Sequence, residues 1–173
     1  MLVLYGGLTV AAVGWGALRG HPNILLLDGR ARATLPGLAA GLAFALVVVA
    51  ATRFVTPRYR WARTLDYEFH HLLGPLTGRE ILAIAAASSI GEECLFRGAM
   101  LPHLGLIASS ALFALPHIGP GARFLPWTFS SFVVGLCLGG LFLGFGDLGG
   151  PIAAHFAINL LNLRHIARSE QPT

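Results

Sequence analysis

The chain has 173 residues, 55% of them hydrophobic and only 12% charged, against about 25% charged in an ordinary soluble domain. Five or six apolar runs of spanning length consume nearly all of it, so residues 1–173 read as a single membrane domain with no room for a separate soluble module. The net charge of +4 comes from arginines alone, mostly placed between apolar runs, and with no basic face or aromatic reading platform it excludes nucleic acid as a partner.

The first apolar run, Leu2 to Leu18, has no basic residue before it and no small-residue cleavage site after it, and reads as a retained helix. Residues 19–34 (Arg19, His21-Pro22, Asp28-Gly29, Arg30, Arg32) are punctuated by Pro and Gly as a loop. The second run, Leu35 to Thr52, is about long enough to cross the hydrocarbon. Residues 53–79 interleave Arg53, Arg58, Arg60, Arg63 and Arg79 with Trp61, Tyr67 and Phe69, a mixture suited to the headgroup layer and to one short amphipathic helix. His70 and His71 lie there as interfacial residues, diverging on a helix rather than sharing a ligand.

A third helix is expected from about Arg79 to Gly98, then a turn at Pro102, His103 and Gly105. The fourth, about Leu104 to His117, is short for a full span. The fifth, about Trp127 to Phe145, carries Gly135-x3-Gly139 and Gly140-x3-Gly144, spacings that permit close approach of membrane helices. The sixth starts near Gly149-Gly150-Pro151 and runs to about Ile166, before a polar tail beyond Arg168. The expected fold is therefore an all-α polytopic membrane helix bundle of about six transmembrane helices. Cys94 and Cys137 match no disulfide or zinc spacing and read as buried packing residues.

The stretch Ser89-Ile90-Gly91-Glu92-Glu93-Cys94-Leu95-Phe96-Arg97-Gly98 puts two carboxylates and a guanidinium inside an apolar helix. Each costs roughly 2.5–3.5 kcal/mol at the centre of a bilayer, so such residues face a bundle interior or a cavity. Glu93 and Arg97, four apart, can neutralise each other, whereas Glu92 is turned about 100° away and is left available for chemistry. Two further pairs at the same spacing lie in later helices, Phe113 with His117 and His155 with Asn159. Taken singly, each polar residue is explained as interhelical glue, and Pro116 frees a carbonyl that His117 could satisfy. Taken together they converge. At 1.5 Å per residue Glu92 lies about 10 Å below the end of its helix, His155 about 9 Å into the sixth from the same side, and His117 about 14–20 Å below that surface. Carboxylates, imidazoles and an amide in one low-dielectric pocket suit activation of water against a carbonyl.

Glu92-Glu93-x-x-x-Arg97, Phe113-x-x-x-His117 and His155-x-x-x-Asn159, in this order on successive helices, resemble the CPBP (Abi) family of intramembrane proteases, which includes the type II CAAX prenyl endopeptidases. Phe96-Arg97-Gly98 and Pro151-Ile152-Ala153-Ala154-His155 are similar to the family as well, and the likeness covers a protease-like core at about residues 79–165. The gap from the glutamate pair to His117 is shorter than in the family, and fewer helices precede the motif than in the eukaryotic enzymes. The resemblance implies that Glu92 and His117 activate the water, that His155 and Asn159 form an oxyanion hole, and that Glu93 tunes the site. Glu92, Glu93, His117, His155 and Asn159 are thus the catalytic candidates, with Arg97 and Phe113 supporting them.

The expected function is an intramembrane endopeptidase hydrolysing a peptide bond of a membrane-associated or lipid-modified protein or peptide, with protein substrate and lipid bilayer as partners and a bacterial inner membrane as location. The alternatives are a non-catalytic immunity or scaffold protein of the same fold, and an ion-coupled carrier, against which the lack of an internal repeat speaks. Zinc is the one candidate cofactor: Glu92, His117 and His155 would supply two nitrogens and an oxygen. The absence of a His-Glu-x-x-His pair, and of visible outer-shell partners, favours a carboxylate-activated water without metal. With both termini inside, the cytoplasmic segments hold eight arginines (53, 58, 60, 63, 79, 123, 164, 168) and the other side three (19, 30, 32), which favours that orientation. The pocket then lies toward the opposite side, whereas the resemblance to enzymes that process cytosolic protein tails implies a site open to the cytoplasm.

Overall fold

A computed structural model describes residues 2–20, 23–26 and 34–168. The loop residues His21-Pro22, Asp28-Gly29, Arg30 and Arg32 and the tail beyond Arg168 lie outside the described residues. Among the described residues there are seven α-helices and no strand: α1 (Leu2–Leu18), α2 (Thr34–Val55), α3 (Arg60–Leu73), α4 (Gly78–Glu93), α5 (Leu101–Ala114), α6 (Leu125–Phe145) and α7 (Gly149–Ile166). Six of them are the expected apolar helices and α3 is the expected amphipathic one, so the fold is an all-α bundle.

The helix bounds follow from local chemistry. α4 opens on a capping box, in which Thr77 Oγ1 accepts from the Glu80 backbone N–H at 3.3 Å and the Glu80 carboxylate accepts from the Thr77 N–H at 2.8 Å. α6 ends at Gly146, whose φ of 78° is a left-handed cap that glycine adopts without strain, and its N–H closes on Phe142 O at 2.8 Å.

The expected turn at Pro102, His103 and Gly105 is present, with its break at Gly105 alone. α4 runs on through a widened π-type turn, Cys94–Met100, and directly into α5. There the Leu101 N–H bonds Phe96 O, five residues back. Pro102 then falls in the first turn of α5, where its missing N–H costs little. Only Gly105, at φ 79° and ψ 169°, leaves the helical region, and there the chain doubles back, since Arg97 before it lies 4.1 Å over the Phe113 ring after it. The third helix thus reaches about Leu104 rather than Gly98.

Thr34–Val55, Gly78–His117 (bent at Gly105) and Ala122–Phe145 are long and apolar enough to cross a membrane, and Leu2–Leu18 is apolar but shorter. Large apolar side chains face outward, among them Val3 (90% exposed), Leu35 (79%) and Ile107 (72%), whereas Glu93 (0%) and Arg97 (1%) are sealed inside. Apolar outside with charges in the centre is a distribution suited to lipid rather than water.

Contacts at the two ends of the bundle agree with the alternation of the chain. At one end the α1–α2 and α6–α7 connections meet, with the Leu148 N–H on Leu25 O at 3.0 Å and an isolated bridge between Leu26 and Asp147. At the other, α3 lies by the ends of α2, α6 and α7. His70 Nδ1 bonds Ile166 O at 2.8 Å, Arg123 pairs with Glu68 at 2.6 Å, and Phe69 packs edge-on against Phe124 and Trp127. Arg53, at the end of α2, donates to Asn162 Oδ1 and Leu161 O on α7. His70 therefore ties two helices together, and the His71 ring lies tilted against Tyr67, centroids 5.2 Å apart.

Small residues set the closest approaches. Gly135 and Gly139 of α6 pack against α5, where added Cβ atoms would meet Ser110, Phe113, Leu101 and Leu106, while Gly140 and Gly144 have nothing within 4 Å and face outward. Cys94 is buried as expected, but Cys137 is exposed, because it sits on the outward side of α6. Gly41 of α2 is tightest: a Cβ there would overlap the Gly150 carbonyl oxygen, a backbone atom that no rotamer change can move. Gly41→Ala is therefore expected to destabilise by about 1–3 kcal/mol, read as a lowered melting temperature in detergent, with Gly140→Ala, in open space within α6, as the control that does not lower it. Equal melting temperatures for the two variants would contradict the α2–α7 packing.

Candidate active site

The site grows out of the last turns of α4. Glu93 is fully buried, and its Oε1 accepts from Arg97 Nη1 at 2.9 Å, one helical turn on. The same oxygen accepts from His155 Nδ1 of α7 at 2.7 Å. Arg97 also donates through Nη2 to Gly135 O of α6 at 3.2 Å and lies 4.1 Å over the Phe113 ring. One carboxylate thus joins α4 to α7, and one guanidinium joins it to α6 and to the ring of α5. A buried charge is tolerated when it is paired, and here Glu93 Oε1 takes both donors.

The bond to Glu93 fixes His155, since a carboxylate only accepts and Nδ1 must carry the proton. The other ring nitrogen, Nε2, faces Glu92, with its Oε2 4.0 Å away. Glu92 Oε2 is buried and takes no hydrogen bond from the protein, and Glu93 Oε2 is in the same condition. Asn159, one turn past His155, donates through Nδ2 to Ser88 Oγ at 2.9 Å, one turn before Glu92. α4 and α7 are antiparallel here, so Glu92 facing His155 and Ser88 facing Asn159 are two successive rungs between the same helices, about 6 Å apart.

His117 stands beyond this ladder. The helix tightens to a 3-10 turn at Leu115–His117, and His117 Nδ1–H donates to Phe113 O at 2.8 Å, which is the local carbonyl capture that Pro116 invites. Its ring is 4.8 Å from Phe113 and 5.0 Å from Trp127, and its own carbonyl accepts from Thr128 Oγ1 at 2.7 Å. Phe113 in turn lies 5.8 Å from the His155 ring, so a single phenyl ring touches both imidazoles. Among the described residues His117 makes no hydrogen bond or ion pair with Glu92 or Glu93. Glu92, Glu93, His155, Asn159, Arg97 and Phe113 are brought into one connected cluster, with His117 attached to it through Phe113.

Both imidazoles have an Nδ1 partner, so the outer-shell partners invisible in the sequence exist: Glu93 for His155 and the Phe113 carbonyl for His117. Among the described residues, however, no three His, Cys, Asp or Glu side chains lie close enough together to hold a metal ion. Glu92, His117 and His155 as placed do not form the zinc set considered above, and the chemistry proposed below uses side chains alone.

Residues 76–161, about half of the chain, match the family described as type II CAAX prenyl endopeptidase Rce1-like. The chain belongs to the Rce1-like family. No curated protein and no solved structure matches it. Membership supplies, at family level, a membrane-embedded endopeptidase acting on peptide substrates, and with the apolar helices it makes the chain an integral membrane protein. The matched segment holds every residue of the cluster, from Ser88 on α4 to Asn159 on α7.

Two participants escaped the sequence. Ser88 carried a signal in its spacing, four residues before Glu92 and hence on the same face. The Gly135 carbonyl had none, because a backbone acceptor leaves no mark in a side-chain pattern. An apolar groove of about 360 Å³ between α2, α4 and α7, walled by Leu38, Ala86, Ile90, Ile152 and Phe156, holds no titratable side chain and is separate from the carboxylates.

Proposed function

We propose that this Rce1-like protein is an active intramembrane endopeptidase that hydrolyses a peptide bond in a membrane-associated or lipid-modified protein, using water activated by Glu92. The observation that carries the proposal is the facing pair: Glu92 Oε2, buried and without a protein donor, 4.0 Å from His155 Nε2. Two atoms at that separation can share one water molecule at ordinary hydrogen-bond lengths, which is the geometry a general base needs. Glu92 takes the water proton as the oxygen attacks the carbonyl carbon. The proton then passes to the amide nitrogen as the C–N bond breaks, giving a carboxylic acid and an amine, between which the second water proton moves to leave a carboxylate and an ammonium. Glu93 holds His155 in orientation and Arg97 holds Glu93. The buried Glu93 carboxylate is compensated by two donors, Arg97 Nη1 and His155 Nδ1. The Asn159 amide is a donor for the oxyanion, joined by His155 Nε2 once that nitrogen also carries a proton, and His117 stands on the far side of the Phe113 ring.

The reading is tested with purified wild-type protein and a library of peptides with free and prenylated C-terminal tails. Cleavage at a defined bond supports it, and intact peptides throughout would move the weight to a non-catalytic membrane protein of the same fold. Chelator-treated protein is expected to keep most of its activity. Loss of activity to chelator with recovery on adding zinc would instead make Glu92, His117 and His155 ligands.

A further inference from the structure

Asn159 is the one amide in the cluster, and an amide can present either a donor or an acceptor to a substrate, depending on which way round it sits. Its Nδ2 lies 2.9 Å from Ser88 Oγ, and Ser88 is 2% exposed. A hydroxyl alone would leave the choice open, because it can donate to the amide oxygen as readily as accept from the amide nitrogen. The Ser88 proton has an acceptor of its own in Ala85 O, a backbone carbonyl 3.3 Å from Oγ that can only accept. With the proton directed there, the hydroxyl accepts from Asn159 Nδ2, and the amide turns its nitrogen toward α4. A chain then runs from amide N–H to hydroxyl to carbonyl, and such chains polarise their members in a low-dielectric interior. This chain is the rung next to Glu92 and His155, about 6 Å along the same two helices.

We propose that Ser88 is a positioning residue that holds Asn159 in the orientation presenting its second N–H, rather than its carbonyl, to the reacting carbonyl oxygen. Ser88 acts through Asn159 and does not touch substrate. The catalytic half of the proposal rests on the hydrolase reading above, whereas the orienting half stands on the hydrogen bonds alone.

The test uses two readouts. The chain has three asparagines, Asn23, Asn159 and Asn162, so protein labelled with 15N-asparagine in detergent shows three side-chain amide pairs, and Asn159→Ala identifies the one in question. In Ser88→Ala that pair is expected to shift and to exchange with solvent at least about tenfold faster, and Ser88→Thr, which keeps the hydroxyl, is expected to restore it. In the cleavage assay Ser88→Ala is expected to lower kcat about tenfold with KM within about twofold, and Ser88→Thr to recover it. In an Asn159→Ala background Ser88→Ala is expected to change nothing further. An Asn159 amide signal unaltered in Ser88→Ala, or a Ser88→Ala loss of equal size with and without Asn159, would overturn the proposal. If wild-type protein cleaves no peptide, the hydrolase reading falls, and the amide spectrum still decides whether Ser88 orients Asn159.

Discussion

Glu92→Gln is expected to give a folded protein whose peptide hydrolysis is slower by about 10²–10⁴-fold, the range a positioned general base supplies. Gln keeps the size and polarity of the side chain, and Glu92 makes no hydrogen bond or ion pair closer than its 4.0 Å approach to His155, so little structural support is withdrawn. His155→Ala is expected to fall in the same range, since it removes the group facing the water and also strips Glu93 of one donor. His117→Ala is expected to join them if, as the family resemblance implies, it helps Glu92 activate the water, and a near-wild-type rate would leave it only a packing role beside Phe113. Asn159→Ala removes one oxyanion donor among several and is expected to cost about 2.7–4 kcal/mol of barrier. Residues that act as a unit are not additive, so Glu92→Gln combined with His155→Ala should be no slower than the slower single variant. A Glu92→Gln protein cleaving at the wild-type rate would sink the assignment.

The sequence went furthest where one periodicity decided the outcome. Continuous apolar runs located α1 as Leu2–Leu18 and α7 to Ile166, because a spanning helix needs little else. The i, i+4 rule placed Arg97 on Glu93, and depth counting along two antiparallel helices placed Glu92 level with His155. It stopped where a contact joins distant segments or depends on backbone shape. The bond from His155 to Glu93, 62 positions apart, is one such contact, since both glutamates lie at nearly the same depth and only their angular positions decide which takes Nδ1. The π-type turn is another. Pro102 reads as a helix break, yet widening the turn before it lets the helix continue, and no residue type announces that widening. Length alone puts His117 deeper than Glu92 in the same membrane half, and what it does not show is the 3-10 turn and the capture of the Phe113 carbonyl that hold the imidazole one ring away.

Arg97→Ala is expected to be the most damaging single change to stability, at about 3–5 kcal/mol, because it strands the Glu93 carboxylate without its guanidinium in a fully buried position. It also removes the link to Gly135 O on α6 and the cation over Phe113, so the α4–α6 contact weakens along with the charge pair. Arg97→Lys keeps the charge but lacks the planar fork that reaches Glu93 and Gly135 together, and should fall between wild type and Ala. Adding Glu93→Ala to Arg97→Ala removes the stranded charge, and the melting temperature in detergent is expected to rise part of the way back. A double variant less stable than the two single losses added together would contradict the pairing. Recovered stability should come without recovered cleavage, since Glu93 also orients His155 through the 2.7 Å bond to Nδ1. That separation distinguishes a carboxylate that only neutralises Arg97 from one that also aims the imidazole: in the first case the double variant would regain activity together with its fold.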